Sequence, residues 1–124
     1  MNELCNPSLQ QNPIDWVECV KKFSGNELLA KELLHQLIEE LHRNKVEFID
    51  LMQQKNQKRL HEAAHKLNGA CCFFEVPYLR ASAIELEKRT QNNTDFDALS
   101  EPFTKLMANI DAVIEAYTLL QSIS

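Results

Sequence analysis

The sequence predicts an all-α protein, an antiparallel four-helix bundle with a short additional N-terminal helix. Apolar residues recur at helical spacing from Ile14 to the C-terminus, and no segment shows the sustained period-two alternation of a β-strand. Polar turn sequences divide this region into helical segments. With 124 residues, of which 44% are hydrophobic and 25% charged, the chain has the size and composition of one globular domain.

The chain begins with a polar tail and a short helix. Residues 1–13 are rich in Asn, Gln and Pro, which predicts a flexible tail before a bundle domain over residues 14–124. Ile14, Val17 and Val20 are spaced as they would be on one face of a helix. We therefore expect the first, short helix to begin here and to end before the polar residues that follow.

A long second helix is expected next. Ser24 and Glu27 have the spacing of a capping box, in which each side chain binds the other residue's backbone N–H at a helix start. No Gly or Pro interrupts residues 26–55, a span that allows a helix of about 43 Å. The predicted inward stripe of this helix consists of Leu29, Leu33, Leu37, Leu41, Phe48 and Met52.

Three further helices complete the predicted bundle. Residues 54–56 predict a turn before a third helix over residues 57–74. Pro77 suits the first turn of a fourth helix that ends near Thr90. Pro102 predicts either an irregular start for the last helix or a new N-terminus after Ser100. The predicted inward residues are Leu60, Ala64, Leu67, Cys71 and Phe74, then Leu79, Ala83 and Leu86, then Phe103, Leu106, Ile110, Val113, Tyr117 and Leu120.

Glycine content, charge and cysteine spacing argue against several classes of function for this chain. The two glycines, Gly25 and Gly69, leave no dinucleotide-binding or P-loop motif, so no ATP site is expected. The net charge of −5 argues against nucleic acid as a partner. The four cysteines form no Cys-x-x-Cys pair, which predicts reduced thiols in a cytoplasmic protein. No apolar stretch approaches the ~20 residues that span a bilayer, although a longer parent protein could be membrane-tethered.

The third predicted helix carries a pattern that suggests chemistry. On a helical wheel, His65 lies about 140° and Gly69 about 180° from Leu60, which marks the core side. His65 is therefore expected to be exposed, with no side chain on the next turn beneath it. Gly inside a helix costs roughly 0.5–1 kcal/mol relative to Ala, but it lets the backbone of another molecule approach. An accessible neutral imidazole is a good nucleophile toward phosphorus.

These residues resemble a known family. The run Ala64-His65-Lys66-Leu67-Asn68-Gly69-Ala70 resembles the signature of histidine phosphotransfer (HPt) domains, which is His-x-Leu-Lys-Gly followed by small residues. Val76-Pro77 before the next helix and Leu86-Glu87 on it extend the likeness, and the helix order agrees over about residues 14–122. The chain is similar to the C-terminal HPt modules of BarA-type hybrid sensor kinases.

The resemblance implies a phosphorelay carrier of two-component signal transduction. His65 would accept a phosphoryl group from the phospho-aspartate of a response-regulator receiver domain and pass it to another receiver. By the family's pattern, Lys66 would screen the phosphoryl charge, Glu87 would orient His65, and Gly69 would give access. The Mg²⁺ would belong to the receiver, so we expect no cofactor or metal in this chain. It would act as a phosphotransfer intermediate without kinase activity, and as a monomer.

The resemblance also suggests a docking surface, and the sequence differs from the family's pattern at two positions. The candidate docking residues are His61, Asn68, Cys72 and Phe73. Asn68 stands where the family often has Lys, so phosphoryl stabilisation is expected to depend more on Lys66. Glu75 stands where the family often has glycine, which bears on the shape of the end of the third helix.

Three alternative interpretations share these residues. His61-Glu62-Ala63-Ala64-His65 matches the His-Glu-x-x-His motif of zinc metalloproteases, with Glu85 as a conceivable third ligand. Against it, both histidines face away from the core stripe and no strand is predicted to align a peptide. His61-Glu62 also begins the motif of a sensor-kinase dimerisation and phosphoacceptor domain, but the proline of that motif is missing. The third alternative is a helical protein-interaction module without phosphotransfer.

Overall fold

The computed structural model describes residues 12–92 and 95–122, and within these ranges it is helical with no β-strand. The α-helices are α1 (Trp16–Lys22), α2 (Glu27–Gln53), α3 (Gln57–Cys71), α4 (Pro77–Gln91) and α5 (Ser100–Ser122). A short 3-10 helix, Phe96–Leu99, directly precedes α5, which is the first of the two alternatives that Pro102 leaves open. The predicted all-α bundle with a short additional N-terminal helix is confirmed. Of the predicted tail, residues 1–11 lie outside the described residues.

Helices α2 to α5 close around one core. Helix α3 packs against α2 and α4, and α5 packs against α4 and α2. Helix α1 contacts α2 and is tied to the loop after α3, where the Asp15 N–H donates to the Glu75 carbonyl at 2.8 Å. The Glu75 side chain also pairs with Lys22 of α1 at 3.0 Å. The residue that replaces the expected glycine therefore anchors the short helix.

The buried cluster contains most of the predicted core. Its predicted members are Leu37, Leu41, Phe48, Leu60, Ala64, Leu67, Cys71, Leu79, Ala83, Leu86, Leu106, Ile110, Val113 and Tyr117. The predicted residues Met52, Phe74, Phe103 and Leu120 are partly buried against this cluster. Because the stripes of α3, α4 and α5 are correct, the outward faces of these helices are also where the periodicity puts them.

The predicted stripe is wrong at the N-terminal end of the chain. Val17 is 64% exposed and Leu29 is 40% exposed, whereas Cys19 and Ala30 are buried. Each step of four residues advances about 40° beyond a full turn, because a helix has about 3.6 residues per turn. A stripe extended backward from Leu41 in steps of four therefore rotates out of the core, and the buried face follows mixed steps of three and four.

Asn26, and not Ser24, caps α2. The Asn26 side-chain oxygen accepts from the Leu29 N–H at 3.0 Å. Ser24 and Gly25 have φ values of 57° and 79° and form the left-handed turn that ends α1. The predicted capping box is wrong because this left-handed turn places Ser24 outside the N-cap position of α2.

The two ends of α3 fix the helix that carries the candidate site. Asn56 caps its start after the predicted turn. Its end lies at Cys71, and not at the predicted Phe74, because the N–H groups of residues 73–74 bond carbonyls three residues back. Pro77 begins α4 as predicted. None of the helices in the described ranges combines the length and hydropathy of a bilayer-spanning segment.

The core position of Leu67, directly beneath the exposed face of α3, gives a test of the fold. Leu67 is 2% exposed, so replacing it with alanine leaves a cavity and should lower the free energy of unfolding by about 2–4 kcal/mol. The matched control is Leu28→Ala, at a position that is 69% exposed, with an expected change within about 0.5 kcal/mol. Urea unfolding followed by circular dichroism measures both. Equal losses in the two variants would contradict the assigned core.

Candidate functional site

His65 lies on the open face of α3, where α4 runs beside it. Its side chain is 72% exposed, and its Nδ1 lies 2.7 Å from the Glu87 Oε2 of α4. An ionised carboxylate only accepts hydrogen bonds, so Nδ1 carries the proton and donates. The opposite ring nitrogen, Nε2, has no hydrogen-bond partner in residues 12–92 and 95–122. The neutral ring therefore keeps the lone pair of Nε2 available.

Two side chains of α3 keep Glu87 ionised. The hydrogen bond from His65 is the largest cause that lowers the pKa of Glu87 below its ordinary value. Partial burial raises that pKa, while a hydrogen bond from the Asn68 Nδ2 to Oε1 at 3.4 Å lowers it further. With its carboxylate ionised at neutral pH, Glu87 fixes both the tautomer and the ring orientation of His65.

Asn68 connects this pair to Arg80 at the beginning of α4. The Arg80 Nε donates to the Asn68 Oδ1 at 3.3 Å, and the Asn68 amide nitrogen donates to Glu87. We call the four hydrogen-bonded side chains His65, Glu87, Asn68 and Arg80 the polar row. Sequence reasoning missed Arg80. The available signal was its position seven residues before Glu87, which places the two on one face of α4.

His61 lies one turn before His65 but has a different environment. It is half-buried, and its Nδ1 lies 2.9 Å from the Glu87 carbonyl and 3.0 Å from the Thr90 hydroxyl. Because a carbonyl oxygen only accepts, the His61 Nδ1–H donates to the backbone of α4. The candidate docking residue His61 thus links α3 to α4, and His65 supplies the exposed imidazole.

The open face beyond His65 is formed by Gly69, Cys72 and Phe73. A Cβ added at Gly69 would meet no atom within 4 Å, so packing within this chain does not require glycine there. Cys72 is an exposed free thiol, and its Sγ lies 3.5 Å from the Asn68 carbonyl. Phe73 is 68% exposed at the end of this face. An exposed aromatic ring beside a bare backbone is suited to contact with another molecule.

Lys66 lies on the other side of His65, at a groove between α2 and α3. Its side chain is exposed, and the charged residues that also line the groove are Glu40, Glu47, Glu62 and Arg59. Lys66 therefore shares the α2 side with three carboxylates and one guanidinium, whereas the polar row runs along the α4 side.

The residues of the His-Glu-x-x-His motif do not assemble as in a zinc protease. Within the described ranges, no three His, Cys, Asp or Glu side chains cluster as metal ligands would, and no strand is present. Glu85, the conceivable third ligand, pairs with Arg89 at 3.0 Å. The described part of the chain therefore offers two histidines that both donate through Nδ1 to α4, and no complete metal site.

Comparison with known protein families agrees with this geometry. The sequence model of the Hpt domain matches residues 29–117, which is more than half of the chain. This chain belongs to the Hpt domain family. The HPt domain is a phosphorelay carrier of two-component signalling, as the family resemblance implies.

Its relatives include signal transduction histidine-protein kinases. The signal transduction histidine-protein kinase BarA of Shigella flexneri and that of Escherichia coli (strain K12) are each 28% identical to it over 102 residues. These matches cover 81% of this chain but 11% of the kinases, so the chain spans about a tenth of their length. The crystal structure of the HPT domain from a Shewanella Hpt sensor hybrid histidine kinase superposes with a TM-score of 0.82. At 23% identity, over 92% of this chain and 97% of that one, it supports the fold.

The lowered pKa of Glu87 makes a prediction about stability. A carboxylate whose pKa is lower in the folded protein stabilises it fully above its ordinary pKa of 4.5, and that contribution is lost as the pH falls through the folded value. Glu87→Gln should therefore cost about 0.5–1 kcal/mol at pH 6, because the pair is partly exposed, and less at pH 3. Chemical unfolding at both pH values measures it. When His65 is also replaced by Gln, the loss caused by Glu87→Gln should differ less between pH 6 and pH 3. If that difference between the two pH values is unchanged, the hydrogen bond from His65 is not what lowers the pKa of Glu87.

Proposed function

We propose that the HPt domain accepts a phosphoryl group on the Nε2 of His65 from the phospho-aspartate of a receiver domain and passes it to the aspartate of a second receiver. The supporting observation is the 2.7 Å contact between the His65 Nδ1 and Glu87 on a side chain that is 72% exposed. This contact occupies one ring nitrogen and leaves the other as the nucleophile.

The proposed transfer requires no proton to leave His65. The lone pair of Nε2 forms a bond to phosphorus, the bond between phosphorus and the aspartyl oxygen breaks, and the carboxylate leaves with the electron pair. Nδ1 keeps its proton, so the ring becomes positively charged while Glu87 lies 2.7 Å away with the opposite charge. In the second transfer a carboxylate attacks phosphorus and Nε2 recovers its lone pair. The Mg²⁺ in this proposal belongs to the receivers.

The surrounding residues have proposed roles in access and charge. Gly69 gives the receiver backbone close approach, and Phe73 with Cys72 provides apolar contact area next to it. Lys66 is exposed beside His65 and supplies positive charge from the α2 side. Receiver domains are the proposed partners, while monomeric state and cytoplasmic location stay predictions. A helical interaction module without phosphotransfer has the same fold and the same open face, so phosphorylation itself distinguishes the two.

Replacement of His65 tests the phosphoacceptor. His65→Gln should fold like the wild type, because the residue lies off the core, and should lose all label when incubated with a ³²P-labelled receiver and Mg²⁺. The matched control is His42→Gln, which removes an exposed histidine of α2. We expect the wild type and the control to carry acid-labile, base-stable phosphate. Label on His65→Gln would assign the acceptor to another residue, and no label on a wild type that binds the receiver would favour the interaction module.

Replacement of Gly69 tests access. Since a Cβ at this position meets no atom, Gly69→Ala and Gly69→Leu should each be as stable as the wild type or more so, by about 0.5–1 kcal/mol. The leucine side chain would nevertheless obstruct the receiver, and we expect the phosphotransfer rate to fall at least about tenfold. Thr104→Leu, at an exposed position of α5, is the control for added apolar surface. Equal transfer rates in Gly69→Leu and Thr104→Leu would remove the access role.

A further inference from the structure

Arg80 is a cation beside the site with unused hydrogen-bond donors. Its side chain is exposed, and in the part of the chain that the structure describes it forms no ion pair with a carboxylate. Its Nε donates to Asn68, which occupies one of the five N–H groups of the guanidinium. By contrast, Arg89 on the same helix pairs with Glu85 at 3.0 Å. Arg80 therefore has charge and four N–H groups available to a further acceptor.

Asn68 holds this cation at a defined place relative to His65. Its amide oxygen accepts from Arg80 and its amide nitrogen donates to Glu87, so both ends of the amide are used. On α3, Asn68 is three residues after His65, which is a rise of about 4.5 Å. A neutral amide thus links the guanidinium to the carboxylate that orients the imidazole.

Phosphorylation creates a need for positive charge at this point. A phosphoryl group on His65 brings up to two negative charges next to the ionised Glu87. Lys66 lies on the α2 side, where Arg59 and three carboxylates, those of Glu40, Glu47 and Glu62, share its groove. Arg80 lies on the α4 side, connected through Asn68 to Glu87 itself, and guanidinium groups bind phosphoryl oxygens in a bidentate manner.

We propose that Arg80 contacts the phosphoryl oxygens of phosphorylated His65 and that Asn68 is the positioning residue that holds Arg80 for this contact. The inference rests on the proposed function, because it requires His65 to be the acceptor. Charge stabilisation in this chain then comes from the neighbouring helix as well as from α3.

The first measurement needs no receiver. The full chain is phosphorylated with phosphoramidate, a small phosphodonor, and the ³¹P shift of the phosphohistidine is titrated with pH. The midpoint belongs to the phosphoryl group and the ring Nδ1–H together. A guanidinium in contact favours loss of the proton from either group, so the midpoint in Arg80→Gln should lie about 0.5 pH unit or more above that of the wild type. The other charged and titratable groups near His65, which include Glu62 and Lys66 on α3, His61 one turn before it and Glu87 on α4, are the same in both proteins. Arg89→Gln, which removes the same charge elsewhere on α4, should match the wild type.

The second measurement uses a labelled receiver and adds a rescue. We expect Arg80→Gln to lower the labelled fraction of the HPt domain at equilibrium by roughly threefold to tenfold. Added salt should reduce this difference between the wild type and the variant, because it screens the charge of Arg80. Arg80→Lys and the double variant Asn68→Lys with Arg80→Gln each put a cation back and should recover most of the loss. An Arg80→Gln variant that matches Arg89→Gln in both measurements overturns the inference, and so does a loss that neither rescue repairs. Label on His65→Gln would instead overturn the proposed function.

Discussion

The hydrogen bond between His65 and Glu87 joins the two helices on which the site depends. It does not require a cleft, because the imidazole is exposed and the proposed partner for its reaction is a separate receiver domain. It requires only that α3 and α4 keep a constant separation and register, so that a carboxylate on one helix stays 2.7 Å from a ring on the other. The packing of α3 against α4 therefore determines whether His65 keeps the orientation that its proposed reaction needs.

That packing is supplied by residues directly beneath the polar row and beside it. Leu67 and Leu86 are buried between the helices, one residue away from Asn68 and Glu87 respectively. On the same face as His65, His61 donates to the Glu87 carbonyl, so the residue whose side chain orients His65 is also held through its backbone. Interiors packed at crystal-like density resist small shifts, which gives an exposed site a fixed geometry.

Periodicity predicted the helices well, and it predicted the exposed face of α3, because three of the five helices have regular stripes. Periodicity failed at Leu29, where steps of four residues leave the core. The capping-box motif failed at Ser24, which lies in a left-handed turn. The contact of Glu87 with His65 was expected only through a family resemblance. Arg80 was missed because its connection to Asn68 arises between helices, and no local motif encodes it.

The position of Asn68 shows why a short motif describes only part of such a site. Asn68 brings no charge of its own, yet its amide accepts from a cation and donates to an anion at once, which a lysine cannot do. A lysine there would bring charge but could not accept from Arg80. If Arg80 has the proposed role, asparagine at this position shifts a source of positive charge to α4. Under the proposed role of Arg80, Asn68 is a neutral link between Glu87 and the guanidinium. The positive charge near the phosphoryl group then comes from two helices, from Lys66 on α3 and from Arg80 on α4.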